Sequence, residues 1–239
     1  MRLVITPEIA SAYPDLRIGI LVGTGAANDG EADGACLAAL KAEAAQYARS
    51  QGYTTETLSE HPFMAAWRET YRSFGTKPGK HRPTAEALVR RVLQGDGLPS
   101  ISPLVDAYLA VEARWWLPVG GYDLDLVKGD VVLRFSGGGE TFRGIGAEED
   151  EYTDEGEVIY ADDERVLTRR WNYKDADATK VTPQSVNVVL CVEAPTAAIP
   201  SEAVQGCVEA MAEGLAAVCH GEWQAMICDT TSPEVLLTG

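Results

Sequence analysis

The chain has 239 residues, 46% of them hydrophobic and 23% charged, an ordinary balance for a globular protein with a substantial core. A net charge of −16 repels nucleic acid at long range, which excludes broad DNA binding and leaves RNA only through a local basic patch. There is no apolar run of about 18 residues and no signal-peptide core, and the five cysteines are an odd number, so we expect a cytoplasmic protein with reduced thiols and no membrane partner.

Arg2 to Ile5 and Leu16 to Val22 read as strands, the second as the buried run Ile18-Gly19-Ile20-Leu21-Val22. Gly23-Thr24-Gly25 follows, but the third glycine of a dinucleotide loop is missing and the next helix starts late, so a plain surface loop is the better reading. Glu31 to Arg49 reads as an alanine-rich helix. His61 to Ser73 is a second, with Phe63, Trp67, Tyr71 and Phe74 on one stripe. A basic loop, Phe74 to Arg82, leads to a helix opened by Pro83. Pro103 opens another, to about Arg114, and Pro118 to Gly121 reads as a flexible corner. Val131 to Phe135 is a strand, followed by an acidic loop to about Gly156. Val158 to Tyr160, Arg165 to Arg170 and Val186 to Glu193 are further strands. Ser201 caps a long final helix with Cys207 and Cys219 on its apolar stripe, and Glu222 to Cys228 returns as an edge strand. Helices and strands alternate without a βαβ rhythm, which favours α+β architecture, mixed sheets packed with helices. Without a repeat or linker, residues 1–239 read as one domain.

Charge is unevenly spread. Residues 67–95 hold seven basic residues and two acids, and residues 137–164 hold eleven acids and one base. Arg68, Arg72, Lys77, Lys80 and Arg82 are the candidate RNA-binding set; solvated helix faces are the bland alternative. No metal or cofactor is expected. The three histidines are scattered, and neither Cys-x-x-Cys nor His-Glu-x-x-His occurs. A Gly-x-Ser-x-Gly elbow and a P-loop are absent too.

The most specific stretch runs from Pro99 to Glu193: Ser100-Ile101-Ser102-Pro103-Leu104-Val105-Asp106, then Pro118-Val119-Gly120-Gly121-Tyr122-Asp123-Leu124-Asp125, then Val131 to Phe135, then Asn187-Val188-Val189-Leu190. This order resembles the editing, or tRNA-binding, domain of the phenylalanyl-tRNA synthetase beta subunit, and the chain looks like a free-standing relative. The resemblance implies that domain's fold. It puts Asp106 at the family's Val-Asp acid and Gly120 where the editing histidine would stand. It puts Asp177 at the family's late glutamate. Glycine offers only backbone groups, so proton transfer by an imidazole is lost, and Gly120 and Gly121 could supply N–H donors instead. Arg169-Arg170-Trp171-Asn172 combines two cations, an aromatic and an amide, suited to an aminoacyl end or a phosphate; a salt-bridge cluster with nearby acids is the alternative. Two functions stay open: hydrolysis in trans of a mischarged aminoacyl-tRNA ester, and a non-catalytic module that binds a free amino acid or related small molecule. Gly120, Gly121 and Asp177 are the candidate catalytic residues. Arg169, Arg170, Trp171, Asn172 and Asp106 are the candidate substrate-binding set.

Overall fold

Residues 1–237 are described here in a computed structural model. The chain opens with β1 (Arg2–Ile5), α1 (Pro7–Ala12), β2 (Arg17–Thr24) and α2 (Gly34–Ser50). Three helices follow, α3 (Pro62–Ser73), α4 (Thr84–Gln94) and α5 (Pro103–Trp115). Then come β3 (Val119–Asp123), β4 (Val131–Gly137), β5 (Thr141–Phe142), β6 (Glu151–Tyr152), β7 (Glu155–Ala161), β8 (Val166–Arg169) and β9 (Lys174–Asp175). The chain closes with β10 (Val188–Ala194), α6 (Ser201–Cys219), β11 (Glu222–Asp229) and β12 (Glu234–Leu236).

The architecture is α+β with mixed sheets. A six-stranded sheet runs β12-β1-β4-β7-β8-β9, a four-stranded sheet runs β11-β2-β10-β3, and β5-β6 form a small pair. Every pairing is antiparallel except β1 with β4. The apolar runs of β2 and β10 lie side by side in the four-stranded sheet, and all seven residues of β10 are buried. That explains why neither alternates in sequence: both faces are covered. As expected, β11 is an edge strand.

Helix ends follow local chemistry. The imidazole of His61 accepts from Phe63 N–H, Ser102 Oγ accepts from Val105 N–H, and Gly95 closes α4 in the left-handed region at φ 98°. Two expectations are corrected. Helix α6 is preceded by Pro200, and Ser201 lies inside it rather than capping it. The Pro118–Gly121 corner is mostly strand β3, because Gly120 and Gly121 pair in register with Cys191 and Leu190. The acidic loop carries the β5-β6 pair.

Gly121 is glycine for a steric reason. A Cβ there would sit 2.3 Å from Leu190 Cδ2 and 2.5 Å from the Val189 carbonyl. Gly121→Ala is therefore expected to lower stability by roughly 1–3 kcal/mol, read as a shift in the urea midpoint. An unchanged midpoint would show that β3 can move away from β10. No helix among the described residues is long and apolar enough to cross a membrane. Cys191, Cys207, Cys219 and Cys228 are buried and Cys36 is exposed. Burial pushes the Cys219 and Cys228 thiols up to about 12.

Candidate functional site

The two larger sheets face each other across a buried acid. Glu193 lies near the end of β10 in an otherwise apolar run. Its Oε1 accepts from Tyr160 Oη on β7 and, at 2.9 Å, from Trp171 Nε1. Its Oε2 accepts from Asn172 Nδ2 at 2.9 Å, and Asn172 Oδ1 accepts from Tyr71 Oη at 2.7 Å. Burial raises the Glu193 carboxyl to about 7; its three donors lower it, and the charge of Asp175 adds to the rise.

The donors are held rigidly. Trp171 is fully buried, edge-on to Trp67 at 5.3 Å and to Tyr13 at 4.8 Å. Arg170 and Trp171 both adopt positive φ, 49° and 68°. Two consecutive non-glycine residues in the left-handed region store strain that the packing must offset, a pattern common at functional sites. The turn sends Arg170 to one side and Trp171 with Asn172 to the other.

A second acid stands at the mouth. Strand β9 pairs with β8 so that Thr168 opposes Asp175. The Thr168 hydroxyl donates to Asp175 Oδ1 at 2.6 Å and lies 2.6 Å from Tyr122 Oη. Thr168 has one proton to give, so Tyr122 donates to Thr168 and Thr168 to Asp175. Burial lifts Asp175 to about 6. Between Asp175, Glu193, Gly120 and Thr84 lies a cavity of about 20 Å³, room for one water-sized guest. A Cβ on Gly120 would stand 3.8 Å from Asp175 Oδ2, an ordinary contact, so glycine here keeps the mouth open rather than avoiding a clash.

A third acid, Glu112 of α5, is fully buried behind this wall. Neither oxygen has a well-aligned hydrogen-bond partner among the described residues. Burial carries its carboxyl up to about 8, moderated by the nearby Thr84 hydroxyl and the Val119 backbone.

The model of the B3/4 domain matches residues 66–207, more than half of the chain. The chain belongs to the B3/4 domain family. This domain is found in the phenylalanyl-tRNA synthetase beta subunit, in agreement with the resemblance read over Pro99 to Glu193. Among solved structures, an N-terminal fragment of that beta subunit from Pyrococcus horikoshii is similar at 12% identity and a TM-score of 0.47. The alignment covers 94% of this chain and 53% of the fragment, so the chain spans about half the length of that structure. No curated protein matches.

Within the B3/4 fold, the sequence-derived candidates separate. Gly120, Trp171 and Asn172 line the cavity. Gly121 packs against β10 and does not. Asp177 opens a short 3-10 turn, is half-exposed, and pairs with Lys180 at 2.6 Å. The carboxylate facing Gly120 is Asp175, two residues earlier. Asp106 is buried but holds the start of α5, accepting from Ile101 N–H at 2.7 Å and from Lys41 Nζ at 2.6 Å. Arg169 is sealed by a bidentate pair with Glu157, both contacts at 2.8 Å. The basic set divides as well. Arg68, Arg82 and Arg90 converge on buried Glu86 at 2.9, 3.8 and 3.4 Å, and Arg72 pairs with Glu69. Lys77 and Lys80 remain displayed beside Arg170.

Asp177→Ala is therefore expected to leave ligand binding unchanged and the melting temperature nearly so, since a half-exposed pair between residues three apart contributes little. Calorimetry on the variant checks this, and lost binding would return Asp177 to the site. Glu193, Tyr160, Tyr122, Thr168 and Asp175 escaped the sequence reading. One signal was available: a lone acid inside Val188-Val189-Leu190-Cys191-Val192-Glu193-Ala194 must be buried, hence partnered.

Proposed function

We propose that this B3/4 protein hydrolyses, in trans, the ester of a mischarged aminoacyl-tRNA. The observation that carries this reading is Asp175: a carboxylate tuned to about 6, at the mouth of a water-sized cavity, opposite Gly120. A base of that strength is mostly ionised at neutral pH and still able to take a proton. Water held between Asp175 and the Gly120 backbone attacks the ester carbonyl. Its proton passes to Asp175, and as the tetrahedral intermediate collapses Asp175 returns that proton to the departing ribose oxygen, which leaves as a hydroxyl. Glu193, held by Tyr160, Trp171 and Asn172, is the polar floor that an amino-acid side chain or ammonium would meet. Gly120 removes the family's imidazole, and Asp175 takes over the general-base role.

The tightness of the cavity favours a second reading. At about 20 Å³ it admits no amino acid without movement of its walls, which suits a module that opens only for a small cognate ligand and turns nothing over. Incubating the purified chain with a panel of mischarged tRNAs separates the two. Release of amino acid from at least one tRNA supports the hydrolase, and binding of a free amino acid with no release from any tRNA supports the module.

A further inference from the structure

On the opposite side of the Arg170–Asn172 turn lies a cleft of about 370 Å³, within the usual range for small-molecule sites. Lys77, Lys80, His81 and Arg170 line it, with Asp154 as the one acid of its wall among the described residues. Formal charge there is three cations against one anion, in a chain whose net charge is −16. Such a local reversal of sign focuses an anion into the cleft.

The cations are arranged rather than scattered. The Lys77 carbonyl accepts from the backbone N–H groups of both Lys80 and His81 at 3.0 Å, folding the loop into a tight turn that presents all three side chains together. Neither Lys77 nor Lys80 forms an ion pair among the described residues. Arg170 is nine-tenths buried and its guanidinium is spent partly on Asp154 at 2.8 Å, which fixes its position. The His81 ring stands edge-on to Tyr173 at 4.7 Å, and its Nδ1 is shielded from solvent without a hydrogen-bond partner among the described residues. The two exposed, unpaired ammonium groups have their bonding capacity free for a ligand.

We propose that this cleft is a phosphate subsite and that its ligand is the phosphate of a nucleotide. Lys77 and Lys80 neutralise the phosphate, and Arg170 steers it toward the turn. That turn is shared: Arg170 faces the phosphate while the next two residues, Trp171 and Asn172, face the Glu193 cavity. One ligand can therefore engage both sides if it carries a phosphate close to an aminoacyl ester. This inference rests on the aminoacyl-tRNA reading for the identity of the nucleotide, but the binding it requires needs no turnover.

The test is calorimetric titration of the full chain at low salt with 5′-AMP, adenosine and inorganic phosphate, repeated on a Lys77→Ala/Lys80→Ala double variant. Both lysines are exposed, so the variant keeps its melting temperature. AMP is expected to bind at least about tenfold more tightly than adenosine. The double substitution should cost AMP about tenfold and leave adenosine alone, and added salt should weaken AMP only. Equal binding of AMP and adenosine, or AMP binding untouched in the variant, overturns the subsite. Inorganic phosphate matching AMP would assign the cleft to the free anion and overturn the nucleotide as its source. AMP binding without deacylation of any tRNA removes the hydrolase reading alone. Deacylation that proceeds equally well in the double variant, with no AMP binding, removes only this inference.

Discussion

Asp175→Asn is expected to lower deacylation of a mischarged tRNA by about 10²–10⁴-fold, the usual contribution of a general base. The substitution is isosteric. The amide oxygen still accepts from Thr168, so the Tyr122–Thr168 chain and the pairing of β9 with β8 are kept. What is lost is the ability to take a proton from water. Wild-type kcat/KM should rise with pH through about 6, where the carboxyl ionises, and this rise should vanish in the variant. Gly120→Ala probes the same mouth by space. Its methyl fits at 3.8 Å from Asp175, so it should slow the reaction by crowding the water and leave stability intact. An Asp175→Asn enzyme with unchanged rate and unchanged pH profile would remove Asp175 from the chemistry.

Much of the fold was legible because long apolar runs and capped helices speak for themselves. Ile18 to Val22 and Val186 to Glu193 marked the centre of one sheet, and Pro83 and Pro103 marked two helix starts. Short elements were not legible: β9 is two residues long and exists because β8 offers it an edge. That is why the sequence pointed to Asp177, while the acid that faces Gly120 is Asp175. Asp175 and Asp177 are alike in composition, and only the strand pairing turns the first toward Gly120. Arg68 looked like a surface cation because its partner Glu86 lies eighteen residues further along, on another helix. The Arg170-Trp171-Asn172 triplet was visible as a dense polar cluster, but the positive φ that splits it between two sides has no sequence signature in non-glycine residues. The neighbouring acids Glu112, Asp175 and Glu193 likewise depend on α5, β9 and β10 meeting, which only tertiary structure supplies.

Glu112→Gln is expected to be more stable than wild type at pH 8 by roughly 2–5 kcal/mol, and nearly equal to it at pH 5. Burial raises Glu112 from the ordinary 4.5 to about 8 in the folded chain. Between those values the folded protein retains a proton that the unfolded chain has released. The stabilising contribution is complete below about 4.5 and disappears as pH climbs toward 8, at about 1.4 kcal/mol per pH unit inside the window. Asp175 and Glu193 act in the same sense but finish near 6 and 7. The interval from pH 7 to 8 therefore belongs to Glu112 alone among the three. Glutamine has the shape of the protonated acid and no charge to release, so the difference curve between variant and wild type should rise across that interval. Urea unfolding at pH 5, 7 and 8 reads it directly. Parallel curves would mean that Glu112 is ionised and solvated in the folded chain, and that the wall between α5 and the Gly120 cavity opens to water.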